Sequence, residues 1–169
     1  MSFGPHLLLA VLEGAVMAAV LALTALGLSL VFGVMRIVNV AHGEFYMLGA
    51  VFAWYFASLV PVNPALGFLL ALVGSPLIVG AVAVAAERLV LKRLAYDPEA
   101  TIVATIGLLY IVQQLVLMSY GPDARPVQAP IGFRVQFPGF GYSGYKLVVI
   151  GLALASVLSW TILVTKILE

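Results

Sequence analysis

The side chains with the most chemical capacity in this chain cluster in one short stretch. Arg36, Asn39, His42 and Glu44 all fall within GVMRIVNVAHGEFYMLGA, Gly33 to Ala50, between two long apolar runs. Ionisable groups near membrane depth are costly and mark solute, ion or proton routes. Two readings of the stretch stand side by side. In one it is a plain turn: Asn39 caps the next helix, Glu44 sits in that helix's first turn, where a carboxylate suits the positive end, and Arg36 marks the inner side of the membrane. In the other, the following helix is broken and starts inside the protein, with its positive end and the His42 and Glu44 side chains facing a water-filled pathway. His42 and Glu44 are two residues apart and do not share a helix face. Gly43 and Gly49, six apart, are packing or hinge positions rather than a phosphate-binding pattern.

Other polar residues carry weaker signals. Gln113 and Gln114 lie about 12 residues into an apolar run, roughly 18 Å along a helix at 1.5 Å per residue. Gly107, Tyr110 and Gln114 share one face at i, i+3 and i+7, a narrow polar stripe that either bonds to a neighbouring helix or lines a pathway. Thr101 and Thr105 are placed to bond back to carbonyls of their own helix. Glu13, in the first turns of an apolar helix, reads as a snorkelling acid. No acid–nucleophile arrangement surrounds either histidine, and the two are too far apart to share a metal-binding helix face, so neither a catalytic nor a metal or cofactor site is expected. With no cysteine there is neither a disulfide framework nor a thiolate site.

The elements that must hold these groups follow from composition. Of 169 residues, 64% are apolar and 9% charged, and the mean hydropathy is +1.18; this is the profile of a membrane chain. A net charge of +1 offers no electrostatic footprint for nucleic acid. Spanning helices need roughly 20 apolar residues, and Pro, Gly and charges divide the chain into spans at about 7–35, 45–60, 64–93, 101–119 and 146–165. The second is short, which suits a half-embedded or broken helix. Asn63 with Pro64, and Asp97 with Pro98, are helix-start signals, with Glu99 favouring the positive helix end. Pro76 lies inside the third span, where a missing donor should kink it. Residues 120–143 are rich in Pro and Gly and contain the alternating FRVQF, an ordered outer loop with a short hairpin. The expected fold is an all-α polytopic membrane bundle of about five spans, forming a single membrane domain.

Alternating five spans places Arg36, Arg88, Lys92, Arg93 and Lys166 on one side and Arg125, Arg134 and Lys146 on the other. The basic excess puts the first side in the cytoplasm and the N-terminus outside; Arg88 and Lys92 are also placed to meet anionic lipid headgroups. Phe133, Phe137, Phe140 and Tyr142 suit an interfacial aromatic belt. Small residues four apart (Gly14, Ala18 and Ala22; Ala81 and Ala85; Gly151, Ala155 and Ser159) let helix backbones approach closely in lipid.

The run TALGLSLVFGVMRIVNVAHGEFYMLGA resembles the signature at the first two helices of permease subunits from ABC importers of branched-chain amino acids. ATIVATIGLLYIVQQLVLMSYGPDARPV is similar to the family's next block, and with the intervening ERLVLKRL the resemblance spans nearly the whole chain. It implies a pore-forming subunit that pairs with a second permease, two cytoplasmic ATPases and an extracytoplasmic solute-binding protein in a bacterial-type inner membrane. The residues read above as candidates for such a solute pathway are Asn39, His42, Glu44, Tyr110 and Gln114. Related permeases for urea and short amides share these elements. The family carries further helices and a cytoplasmic coupling loop after the fifth span, so the chain is expected to be about the N-terminal half of a permease, with exposed small-residue faces on spans one and five.

The 169 residues contain no G-x-x-x-x-G-K-[ST] phosphate loop and no GK dipeptide. No cofactor is expected to bind this chain, and ATP would be used by partner subunits. The competing classes are an ion-coupled secondary transporter or channel, in which Glu44 or His42 carries protons, and a membrane scaffold.

Overall fold

Local hydrogen bonds at helix starts set much of the architecture. In the computed structural model, which describes residues 3–36, 38–130, 132–137 and 139–168, the Asn63 side chain accepts from the Leu66 N–H at 3.1 Å and Pro64 occupies the first helical position. The Asp97 carboxylate accepts from the Ala100 N–H at 2.9 Å, again ahead of a proline. Each cap satisfies one of the donors that a helix start leaves unpaired. The helices are α1 (Phe3–Met35), α2 (His42–Leu59), α3 (Pro64–Leu89), α4 (Pro98–Tyr120) and α5 (Gly144–Leu168). Between α4 and α5, strands β1 (Arg134–Phe137) and β2 (Phe140–Ser143) pair antiparallel, the hairpin expected from FRVQF.

Among the described residues, four stretches are long and apolar enough to cross a membrane: Gly4–Gly33, Pro64–Leu94, Pro98–Tyr120 and Gly144–Lys166. Helix α2, at 18 residues, is not among them, because His42 and Glu44 dilute its apolar run. The all-α polytopic expectation, with one helix of different character, therefore holds. The third helix corrects the sequence reading at its end. The α-helix stops at Leu89 instead of continuing to Arg93, and Leu91–Leu94 forms a 3-10 turn. That turn is closed by Ala95 and Tyr96 at φ 51° and 57°, consecutive left-handed residues that redirect the chain into the Asp97 cap. Helix α3 runs through Pro76.

The chain divides into two compact units, residues 28–130 and residues 1–27 with 131–169. In the first, α2 packs along α3. The contact is close because α3 presents small residues: Gly67, Ala71 and Ser75 are buried at four-residue spacing. A Cβ at Gly67 would sit 3.2 Å from the Ala57 backbone, and one at Gly74 would be 2.5 Å from the Phe56 ring. The small-residue seam of α3 is therefore this stripe, whereas Ala81 and Ala85 are exposed. Sequence spacing alone did not separate the two because both satisfy the four-residue rule. Thr101, Thr105, Val112 and Val116 make the buried face of α4.

In the second unit, Ala19, Tyr142 and Ala153 are buried. The hairpin turn passes Gly139 at φ +96°, a conformation costly for any other residue, and there it approaches the Pro5 ring. Phe137 stacks on Phe140 at 5.6 Å, and Phe140 meets Tyr142 edge-on at 6.5 Å. Tyr142 is therefore a packing residue of the hairpin, not a member of an exposed belt. Gly14, Ala18, Gly151, Ala155 and Ser159 are exposed on α1 and α5, and Ala22 is half-buried.

Candidate functional site

The site begins where α1 ends. The Arg36 N–H still donates to the Phe32 carbonyl at 2.9 Å, but Arg36 itself turns left-handed at φ 54°, which stops the helix. Ile37 lies outside the described residues. The Asn39 side-chain oxygen accepts from the Ala41 N–H at 3.0 Å, and the Asn39 carbonyl accepts from the His42 N–H at 3.2 Å. Asparagine thus builds the turn before α2 rather than capping it. The N-cap is Ala41, fully buried and without a side-chain cap bond. The expectation that Asn39 caps the helix is corrected on this point, since its short side chain reaches a donor two residues on and not the first turn of α2.

The resulting elbow is tied to α4. The Val40 N–H donates to Thr105 Oγ1 at 3.3 Å, while the Thr105 hydroxyl donates to the Ile102 carbonyl at 3.0 Å. Thr105 does bond back to its own helix, as its position suggested, and it also serves as acceptor for a chain segment 65 residues away. Thr101, one turn earlier and equally buried, has no hydrogen-bond partner for its hydroxyl among the described residues. The back-bond expected for it is not made.

Beside the elbow is a cleft of about 270 Å³. Asn39, His42 and Phe45 enter it from the elbow and the first turn of α2, Ala83, Ala86 and Glu87 from α3, and Thr105 and Leu108 from α4. Val31 of α1 and Leu91 of the 3-10 turn complete it. The lining is apolar apart from four groups, Asn39, His42, Thr105 and Glu87. The Glu87 carboxylate has a fixed partner: the Tyr96 hydroxyl donates to its Oε1 at 2.5 Å. That bond, which needs the protonated phenol, holds Tyr96 above the ordinary tyrosine range, with desolvation and the Glu87 charge adding to it. Among the described residues no three His, Asp or Glu side chains converge as a metal site would require.

The five pathway candidates separate. Asn39 and His42 line the cleft. Glu44 lies in the first turn of α2 with Oε2 buried and unpaired among the described residues. Tyr110 is 65% exposed and Gln114 is also exposed, both on α4 and neither lining the cleft. Sequence reasoning did not single out Glu87. The available signal was local: a carboxylate nine residues before a tyrosine, bracketing a Lys–Arg turn. It also missed the partner of Glu13, whose carboxylate accepts from Lys146 Nζ at 2.6 and 2.8 Å across 133 residues of sequence. At 41% and 47% side-chain exposure this pair is a weak stabiliser. Outside the helices, burial foremost, and the Glu13 charge after it, raise the Tyr142 phenol. On the loop after α4, Arg125 stacks over Trp54 at 4.5 Å and donates to the Tyr120 carbonyl at 2.8 Å.

Residues 10–167 match the family described as branched-chain amino acid transport system / permease component. The chain is similar to the high-affinity branched-chain amino acid transport system permease protein LivH of Escherichia coli K12, with 30% identity over 133 residues. It is 29% identical over the same length to the protein of that name from Salmonella typhimurium. Each alignment covers 74% of this chain and 42% of the relative, so the chain spans about two fifths of the length of the curated relatives it matches. No solved structure matches it.

Proposed function

Starting from a chain that belongs to the branched-chain amino acid transport permease family, we propose that it forms part of the solute pathway of an ABC importer for branched-chain or related hydrophobic amino acids. The observation that carries the reading is the elbow. The backbone leaves regular helix between Arg36 and Ala41 directly beside a cleft with apolar walls and a few polar groups, a composition suited to a small amphiphilic solute. In this reading Asn39 shapes the entry and His42 lines the route. Glu44 brings a carboxylate next to it in the first turn of α2. Tyr110 and Gln114 face away from the cleft and serve the pathway where α4 meets another helix of the assembled importer.

The energy comes from elsewhere. Two cytoplasmic ATPase subunits bind and hydrolyse ATP, a second permease subunit completes the pore, and an extracytoplasmic binding protein delivers the solute to the outer loops. Their closure and release bias the helices between inward- and outward-facing arrangements, and nucleotide shifts that equilibrium only by binding the two states differently. The N-terminus lies outside and the basic ends near Arg36 and Arg88 lie in the cytoplasm of a bacterial-type inner membrane.

Vesicles carrying the complete importer test the reading. Leucine uptake should require ATP on the cytoplasmic side and should resist competition by urea and short amides. Uptake that proceeds equally without ATP would overturn the assignment in favour of an ion-coupled carrier. Within the same assay, His42→Ala and Glu44→Gln should depress uptake more than Glu13→Gln does. Equal loss of expression in all three would instead assign them to folding.

A further inference from the structure

We infer that Glu87 is the group of the cleft that recognises the solute's ammonium, with Tyr96 as its positioning residue. The inference rests on the cleft being a solute site and names the part of the solute each wall receives. Glu87 is the only acidic side chain among the lining residues. A carboxylate at the edge of an otherwise apolar wall is costly unless something cationic or hydrogen-bonding meets it. The Tyr96 hydroxyl supplies one bond, to Oε1. A carboxylate has two oxygens and about four acceptor positions, so most of its capacity remains for a second donor.

A short constrained segment holds the Glu87 carboxylate from one side. Tyr96 is held in the left-handed region at φ 57°, next to Ala95 at φ 51°. Its hydroxyl reaches back across the 3-10 turn to the last turns of α3. Leu91, which is buried in that same turn, forms part of the apolar wall. One short segment therefore sets both the anionic pole and a wall of the cleft. Another wall comes from the start of α2. His42, its first residue, lines the cleft, and Ala41 gives the helix no side-chain cap. A carboxylate set in an otherwise mostly apolar lining complements a solute that carries an ammonium beside an apolar side chain. At about 270 Å³ the cleft takes one such small solute, falling just below the usual range for ligand pockets.

The test is equilibrium binding to the 169-residue chain in lipid nanodiscs, with three probes of similar shape: leucine, 4-methylpentanoate, which lacks the ammonium, and 3-methylbutylamine, which lacks the carboxylate. The wild-type chain should bind leucine about tenfold or more tightly than 4-methylpentanoate, as expected for loss of a charge-assisted bond. Glu87→Gln should erase that preference by weakening leucine, with 4-methylpentanoate binding held or tightened by removal of the like charge. Tyr96→Phe should reduce the preference only in part, because it loosens the carboxylate without removing it. A preference retained in a folded Glu87→Gln chain overturns the inference. So does a wild-type chain that binds leucine and 4-methylpentanoate equally, a measurement that needs no variant to fold. Failure of all three probes to bind the wild-type chain also overturns it, while ATP-dependent leucine uptake by the complete importer would still stand and keep the transport reading separate.

Discussion

Helix α4 carries two polar stripes of similar appearance in sequence and opposite fate in the structure. Near its start, Thr101 and Thr105 are fully buried, and Thr105 receives the Val40 N–H of the elbow. Two to three turns later, Tyr110 and Gln114 are exposed. Through Thr105 alone, the first stripe meets a chain segment whose backbone has left the helix and has a donor to satisfy. The second meets no such segment among the described residues. A polar side chain on a membrane helix is thus drawn inward where irregular backbone needs a partner, and its own hydrogen-bonding capacity does not decide the matter.

The comparison can be pressed hardest at Thr105. Thr105→Val removes the acceptor of Val40 N–H while keeping the shape, and should destabilise the unit of residues 28–130 by about 1–3 kcal/mol. Unfolding in detergent measures the loss, and hydrogen exchange should rise at Val40 first. At the start of the same helix, Asp97→Ala should lose about 1 kcal/mol, the value of an N-cap, with fraying confined to the first turn of α4. Thr101→Val should run the other way, neutral or stabilising by up to about 1 kcal/mol, because the hydroxyl it deletes has no partner to lose. An equal loss at Thr101 and Thr105 would erase the distinction drawn between them. Least of all, Gln114→Leu should leave the stability of the isolated chain within about 0.5 kcal/mol. Loss of uptake in the complete importer without loss of stability would then place Gln114 at a contact with another helix.

These contrasts mark what could be read from the residues alone. The Asn63–Pro64 and Asp97–Pro98 starts were legible because a cap is an interaction over three residues, fully contained in a short string. The elbow was legible because charged and amide groups interrupt two apolar runs there. The end of α3 was not, since a left-handed pair of Ala and Tyr contains none of the glycine or asparagine that announces such a turn. Nor was Glu87, because the cleft is assembled from α1, the elbow, α2, α3 and α4 together, and the order of residues along one helix does not reveal which of them a distant segment will approach. The Lys146 partner of Glu13 was hidden for the same reason.

The left-handed pair Ala95–Tyr96 sets stability and selectivity against each other. Each non-glycine residue there costs roughly 1–2 kcal/mol relative to ordinary helical backbone, yet the pair is what lets the Tyr96 hydroxyl reach Glu87. Glycine at position 95 would relax the local geometry and widen the range of directions the tyrosine can take. A sturdier but less discriminating protein is the expected result, and a search for thermostable variants would drift toward it unless binding were selected at the same time.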